Sequence, residues 1–326
     1  MKAKQRTLLI LLVLVVLAGG AFALLTAKNE QTAQAESAAA EGTIPLSSFS
    51  AADLTELTVV YDGETNTLEY TDGVWTLAED PAYHLDATSC NTMVTALSAL
   101  NAKRQLTEEP GENYGFSDSS LTVTVTAAGE TNTFTFGAEN AATGDIYLKK
   151  AGDDALYTVD SAKASCFTLS REELFGAFNP AGLTSSAIES ISVVQGAEQY
   201  TLTAVSEAVD ADSDSEEEAA SDSTAYTTVW RLAEEPDADL DDTQVNNLLS
   251  ALSSYVTAQD TDGSTAGMAR LATAVVQTAD GEQTLTYYEG TDGYYLTVAG
   301  DTSLYTVDGS TVQTILTAKD NLKAAS

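Results

Sequence analysis

The chain carries one thirteen-residue phrase twice, which is the feature that most restricts its fold. "VWTLAEDPAYHLD" occupies 74–86 and "VWRLAEEPDADLD" occupies 229–241, and each copy holds one of the chain's two tryptophans. Trp75 and Trp230 lie 155 residues apart, as do Asp86 and Asp241. The phrase "LYTVD" also recurs, at 156–160 and 304–308. Self-similarity over such a long period indicates one structural unit used twice. We therefore predict two modules, at 51–178 and 183–326.

Each copy reads as strands followed by a helix. Polar and apolar residues alternate around Asp62-Gly63 and Asp72-Gly73, a pattern typical of hairpin-linked strands. The Trp strand ends close to a proline, which cannot donate to a ladder.

A helix is expected after Asp86 and after Asp241, since an aspartate at this position caps the first turn. Apolar residues then recur at three- and four-residue spacing, from Cys90 to Leu100 and from Val245 to Tyr255, which predicts amphipathic helices. Trp75 and Trp230 are expected to pack beneath them. The predicted class is α+β: in each module an antiparallel sheet covered by one amphipathic helix, with a short terminal helix.

The N-terminus predicts a membrane anchor. Three basic residues precede an apolar run at 8–25, close to the roughly 20 residues that a spanning helix needs. Positive charge on the N-terminal side places that end in the cytoplasm and the rest outside. Residues 1–25 would form the anchor and 26–50 a flexible stalk. The alternative is a secreted protein cleaved near Ala23, because Ala21-Phe22-Ala23 resembles a small-x-small cleavage site.

Charge excludes one class of partner. The chain has 14 Lys and Arg against 49 Asp and Glu, a formal charge of −35, and such a surface repels nucleic acid. Residues 206–224 are strongly acidic and are predicted to form a disordered insertion. Within them, Asp210, Asp212 and Asp214 have EF-hand-like spacing, but the loop lacks the glycine and the final bidentate acid. They are a weak calcium candidate.

The sequence shows no catalytic machinery. His84 is the only histidine, and no nucleophile elbow, Walker loop or dinucleotide fingerprint is present. Cys90 and Cys166 are the only cysteines; they could form a disulfide outside the cytoplasm or remain free thiols. No cofactor and no enzymatic activity are predicted.

Several short motifs resemble a bacterial family of domains of unknown function, family 4340. They are Trp75, Leu85-Asp86, Tyr114-Gly115-Phe116, the strand at 121–126, and Tyr147 with "LYTVD". The resemblance covers most of 51–176, and the second module lacks the Tyr-Gly-Phe element. It implies a membrane-anchored envelope protein, often encoded beside ABC-type permeases and an auxiliary subunit similar to that of gliding-motility transporters. It implies no catalytic residues.

Two functions follow as hypotheses. The first is a non-enzymatic, membrane-anchored accessory or scaffold protein of an ABC-type transport system, which binds the membrane through 8–25 and contacts the permease or auxiliary subunit. The second is an extracytoplasmic module for a ligand or glycan, which would use Tyr287, Tyr288, Tyr294 and Tyr295.

Overall fold

A computed structural model describes residues 44–108, 112–117, 120–208 and 226–324. The contacts divide the chain into two compact units. Unit 1 comprises Met1–Gly73 and Thr88–Ser170, and unit 2 comprises Val74–Ala87 and Arg171–Ser326.

The first large sheet has eight antiparallel strands in the order β4-β3-β2-β7-β8-β9-β10-β6. Their bounds are β2 Leu54–Tyr61, β3 Glu64–Thr71, β4 Val74–Leu77, β6 Arg104–Leu106, β7 Thr122–Ala127, β8 Glu130–Glu139, β9 Ile146–Lys150 and β10 Leu156–Val159. A separate ribbon pairs β1 (Ile44–Pro45) with β5 (Asn101–Ala102). The helices are α1 (Ala87–Ser98) and α2 (Ala162–Ser165), with a 3-10 turn at Ala51–Asp53.

The second sheet repeats this order position by position, as β13-β12-β11-β15-β16-β17-β18-β14. Its strands are β11 Ile188–Gln195, β12 Glu198–Ala208, β13 Tyr226–Leu232, β14 Ala258–Asp260, β15 Ala269–Thr278, β16 Gly281–Glu289, β17 Tyr294–Val298 and β18 Leu304–Val307. The helices are α3 (Asp242–Leu252) and α4 (Gly309–Ile315), with 3-10 turns at Ser185–Ala187 and Lys319–Leu322. The repeat in sequence is therefore a repeat of topology.

Strand alternation explains the core. In β7 every second residue is buried and its neighbours are partly exposed, as expected for a sheet covered on one face. In unit 2, the apolar stripe of α3, including Val245, Leu248 and Leu252, joins the buried residues of the second sheet in one cluster. The α3 stripe that the sequence predicts therefore packs with the buried face of the second sheet.

The predicted fold class is wrong. The described residues form a mainly antiparallel β structure with two eight-stranded sheets and only four α-helices, of 12, 4, 11 and 7 residues. Both predicted amphipathic helices form, as α1 and α3, and bury their apolar residues. Each is short beside the eight-stranded sheet of its module.

The predicted transmembrane helix is also corrected. Residues 8–25, through which membrane binding was expected, lie outside the described residues. Among the helices of the described ranges, none is long and apolar enough to cross a bilayer. This finding gives no support to the predicted single-pass topology.

The predicted stalk and insertion lie only partly within the described ranges. At the end of the stalk, Ile44–Pro45 pairs with β5, and Leu46 and Ser47 are buried in unit 1. Residues 206–208 end strand β12, while the rest of the acidic insertion lies outside the described residues.

Candidate functional site

The residues predicted to mark the sheet-to-helix transition occupy it. Trp75 lies buried in β4, and Trp230 lies in β13, half-buried against the unit 2 core. Asp241 caps α3, because its carboxylate accepts hydrogen bonds from the amides of Thr243 at 2.8 Å and Gln244 at 3.3 Å. The amide of Asp86 donates to the Leu174 carbonyl at 2.8 Å.

Cys90 and Cys166 are not joined to each other, so the possible disulfide is not formed. Cys90 is buried, while Cys166 is half-buried in a shallow groove between α1 and α2. Burial raises the pKa of the Cys166 thiol, which disfavours the reactive thiolate.

The His84 ring is held by contacts with neighbouring residues of unit 2. Its ring stacks on Phe178 with centroids 4.0 Å apart, and its Nδ1 lies 2.8 Å from the Gly176 carbonyl oxygen. One face and one nitrogen are thereby occupied by the fold.

The described ranges contain no cluster of three or more His, Cys, Asp or Glu side chains able to hold a metal ion. The calcium candidates Asp210, Asp212 and Asp214 lie outside the described residues.

The four tyrosines proposed for ligand binding do not form one patch. Tyr287 is fully buried, and burial raises its pKa; Tyr294 packs against the unit 2 core. Tyr288 and Tyr295 face each other across β16 and β17 and are half-exposed. Adjacent residues of a strand point to opposite faces, so only this pair remains on the outer face.

The Tyr-Gly-Phe element folds back onto the first sheet. The Ala138 amide donates to the Tyr114 carbonyl at 2.8 Å, beside an irregularity in β8. The Tyr114 ring meets the Tyr147 ring edge-on with centroids 4.9 Å apart, and the Lys149 ammonium lies 4.9 Å from the centre of the Phe116 ring.

Two glycines permit this approach. A Cβ at Gly115 would lie 2.5 Å from the Ala138 backbone nitrogen, and a Cβ at Gly137 would overlap the Tyr114 carbonyl. Both positions therefore favour glycine because two backbones meet there.

A cavity of about 360 Å³ opens beside this element in unit 1. Its lining combines the apolar side chains of Leu121, Phe136 and Ile146 with the hydroxyl-bearing side chains of Tyr61, Ser117, Ser120 and Thr168. Its volume falls at the lower end of the range for small-molecule sites. None of the described residues that line it carries a charged side chain, so their chemistry suits a neutral ligand.

The most specific polar arrangement in unit 2 holds a peptide segment. The side-chain amide of Gln259 accepts from the His84 amide at 2.8 Å and donates to the Ala82 carbonyl at 2.9 Å. The Thr261 hydroxyl donates to the Asp80 carboxylate at 2.5 Å. We call Gln259 and Thr261 the unit 2 clasp. Sequence reasoning missed it, because Gln259 lies 175 residues from His84 and neither residue type is diagnostic.

Comparison with known proteins finds a family model that matches part of the chain. A family model described as Domain of unknown function (DUF4340) matches residues 75–229. The chain carries a DUF4340 domain. The predicted family is confirmed, and the match begins at Trp75 of the first copy and ends at Val229, next to Trp230 of the second. The DUF4340 match includes the Tyr-Gly-Phe element and all the residues that line its cavity except Tyr61. No curated protein and no solved structure matches the chain.

Proposed function

We propose that this DUF4340 protein is a non-enzymatic accessory or scaffold protein that acts outside the cytoplasm through protein contacts, in association with an ABC-type transport system. The observation that carries the proposal is the unit 2 clasp, in which Gln259 and Thr261 bind a peptide segment through its backbone and a carboxylate. The transport association rests on the family resemblance.

The lack of reactive side-chain clusters in the described ranges supports a function through protein–protein contacts. His84 is held by packing, Cys166 has a raised pKa, and no metal-binding group is present there. Catalysis requires activated groups poised around a substrate, and these residues supply none.

An extracytoplasmic location is supported by the basic N-terminus, the apolar run and Ala21-Phe22-Ala23. We propose export with cleavage near Ala23. Intact-mass measurement of the chain from its native host tests this point. A mature N-terminus after Ala23 is expected, and a full-length cytoplasmic chain contradicts it.

Quantitative mass spectrometry of an affinity purification tests the transport association. The tagged chain is purified from detergent extracts of its native host, and a tagged, unrelated exported protein serves as control. Enrichment of permease or auxiliary subunits over that control is expected. If the chain purifies at good yield without them, the association is wrong.

A ligand-binding role is the second candidate, favoured by the neutral cavity beside the Tyr-Gly-Phe element. Ligand-observed NMR with neutral mono- and disaccharides tests it. Binding should be lost in Tyr61→Ala, whose side chain lines the cavity, and retained in Tyr255→Ala, an exposed tyrosine of unit 2. Equal binding by both variants, or none by the native chain, excludes this role.

A further inference from the structure

The unit 2 clasp has an equivalent in unit 1. Gln259 in β14 pairs opposite Tyr305 of β18, and Gln105 in β6 pairs opposite Tyr157 of β10. Each tyrosine donates its hydroxyl to the aspartate of the preceding turn, Tyr305 to Asp301 at 2.5 Å and Tyr157 to Asp153 at 2.7 Å. Gln105 and Gln259 thus stand at the same place in matching frameworks.

The unit 1 clasp is open within the described ranges. The Gln105 side chain is exposed, and so is Thr107, which stands where Thr261 stands in unit 2. Neither side chain has a hydrogen-bond partner among the described residues. Ser47, near the start of the described part of unit 1, donates its hydroxyl to the Leu97 carbonyl at the end of α1. In unit 2, the Asn179 side-chain amide donates in the same way to the Leu252 carbonyl at the end of α3.

The held segment also has an equivalent. In the held turn, the Tyr83 amide donates to the Asp80 carbonyl at 3.0 Å. In the second copy of the phrase, the Ala238 amide donates to the Glu235 carbonyl at 3.1 Å. The residues at 235–239 therefore adopt the same turn.

The surroundings of the two turns match as well. Leu85 bridges to Phe175 and Leu240 to Lys323. The acid at the start of each turn pairs with a base, Asp80 with Arg171 and Glu235 with Lys319. Asp237 and Asp239, which stand where Ala82 and His84 stand in the held turn, are exposed.

Charge favours contact between the open clasp and this second turn. Four of the chain's 14 basic residues lie on or beside β6, the edge strand that carries Gln105, and β9, two strands in from it: Lys103, Arg104, Lys149 and Lys150. Lys103 pairs with Asp145 and Lys149 with Glu108. Six of the nine residues from Glu234 to Asp242 are acidic. Opposite charges on the two surfaces steer their encounter and fix its orientation.

We propose that the protein self-associates head to tail, with the turn at 235–239 of one copy held in the Gln105 clasp of a second copy. The Gln105 amide would accept from the Asp239 amide and donate to the Asp237 carbonyl, as Gln259 does with His84 and Ala82. The two surfaces differ, so each added copy leaves one clasp and one turn free, and the assembly grows as an open chain. This inference is independent of the proposed transport association.

Sedimentation velocity of the purified native chain tests the proposal over a concentration series up to about 1 mM, where weak interfaces become populated. Dimers and longer species should appear with concentration and shrink with added salt. Gln105→Ala removes two hydrogen bonds and should weaken association about 10-fold or more. Gln199→Ala, an exposed glutamine of β12, is the matched control and should behave as the native chain.

A mixing experiment distinguishes head-to-tail contact from other dimers. The double variant Asp237→Lys with Asp239→Lys keeps the clasp and reverses the charge of the turn. Gln105→Ala alone and the double variant alone should each remain monomeric. A mixture of the two should form dimers that do not extend, because the mixture holds one intact turn, on Gln105→Ala, and one intact clasp, on the double variant. A native chain that stays monomeric throughout overturns the proposal, as does self-association that survives both sets of substitutions. Equal loss of association in Gln199→Ala would also overturn it.

Discussion

Replacing Gly115 by alanine tests whether the Tyr-Gly-Phe element is built into the first sheet. Gly115 has φ +79°, and Gly152, in another turn of unit 1, has φ +80°. A Cβ at Gly115 meets the Ala138 backbone nitrogen at 2.5 Å, whereas a Cβ at Gly152 meets nothing within 4 Å. The two alanine variants therefore share the same backbone strain and differ in the clash.

The structure gives the expected magnitudes. An alanine in the left-handed region costs about 1–2 kcal/mol, which applies to both variants. At Gly115 the clash also displaces the element. That displacement breaks the hydrogen bond from Ala138 to Tyr114, the ring contact of Tyr114 with Tyr147 and the contact of Lys149 with Phe116. Together these interactions contribute about 2–3 kcal/mol. Gly152→Ala should lower the free energy of unfolding by about 1–2 kcal/mol and Gly115→Ala by about 3–5 kcal/mol.

Guanidinium titration followed by far-ultraviolet circular dichroism measures both values, with the native chain as reference. Heteronuclear NMR should show the Tyr147 and Ala138 resonances shifted in Gly115→Ala and unchanged in Gly152→Ala. Equal destabilisation by the two substitutions, or native Tyr147 resonances in Gly115→Ala, would refute the claim that the element is fixed on the sheet.

Three further predictions concern stability, each measured by denaturant titration. Asp241→Ala should lower the free energy of unfolding by about 1 kcal/mol, since it removes a helix cap; Asp308→Ala should cost less, because that side chain makes no cap hydrogen bond. Hydrogen bonds from two lysines lower the pKa of Glu235 to about 2, below its ordinary value of 4.5. Its stabilising effect should be present above pH 4.5 and be lost as the pH falls towards 2, and Glu235→Gln should remove that part of the pH dependence. The Tyr200 hydroxyl is buried without a hydrogen-bond partner among the described residues, so Tyr200→Phe should raise the free energy of unfolding by about 1 kcal/mol. As a control, Tyr305→Phe loses a hydrogen bond to Asp301 and should lower the free energy of unfolding by a similar amount.

Local features of the fold could be predicted from the amino-acid sequence, because they depend on residues that are close together in the chain. Asp62-Gly63 and Asp72-Gly73 have positive φ values at both residues, as tight hairpin turns require. The cap at Asp241 follows from its place before an apolar stripe. The tyrosine cluster could also have been resolved, since the two-residue period of a strand places Tyr287 and Tyr288 on opposite faces.

Other features depended on partners far away in the chain. Strand β2 pairs with β7, whose residues lie more than sixty positions later, and this pairing makes each sheet eight strands wide. The α+β prediction was wrong because helix stripes are visible in a sequence, whereas the width of a sheet depends on such distant pairings. The DUF4340 match likewise begins inside one sheet and ends inside the next.

The amino-acid sequence by itself determined that one plan is used twice, where its turns and caps lie, and which family its motifs resemble, since these rest on local propensity and on motifs. Tertiary structure alone decided that the Tyr-Gly-Phe element covers its own sheet, and that Gln259 holds the turn at 80–84 while Gln105 is exposed among the described residues. The physical reason is that a glutamine amide or a glycine acquires its role from the backbone that approaches it, and that approach is fixed only when distant strands pair.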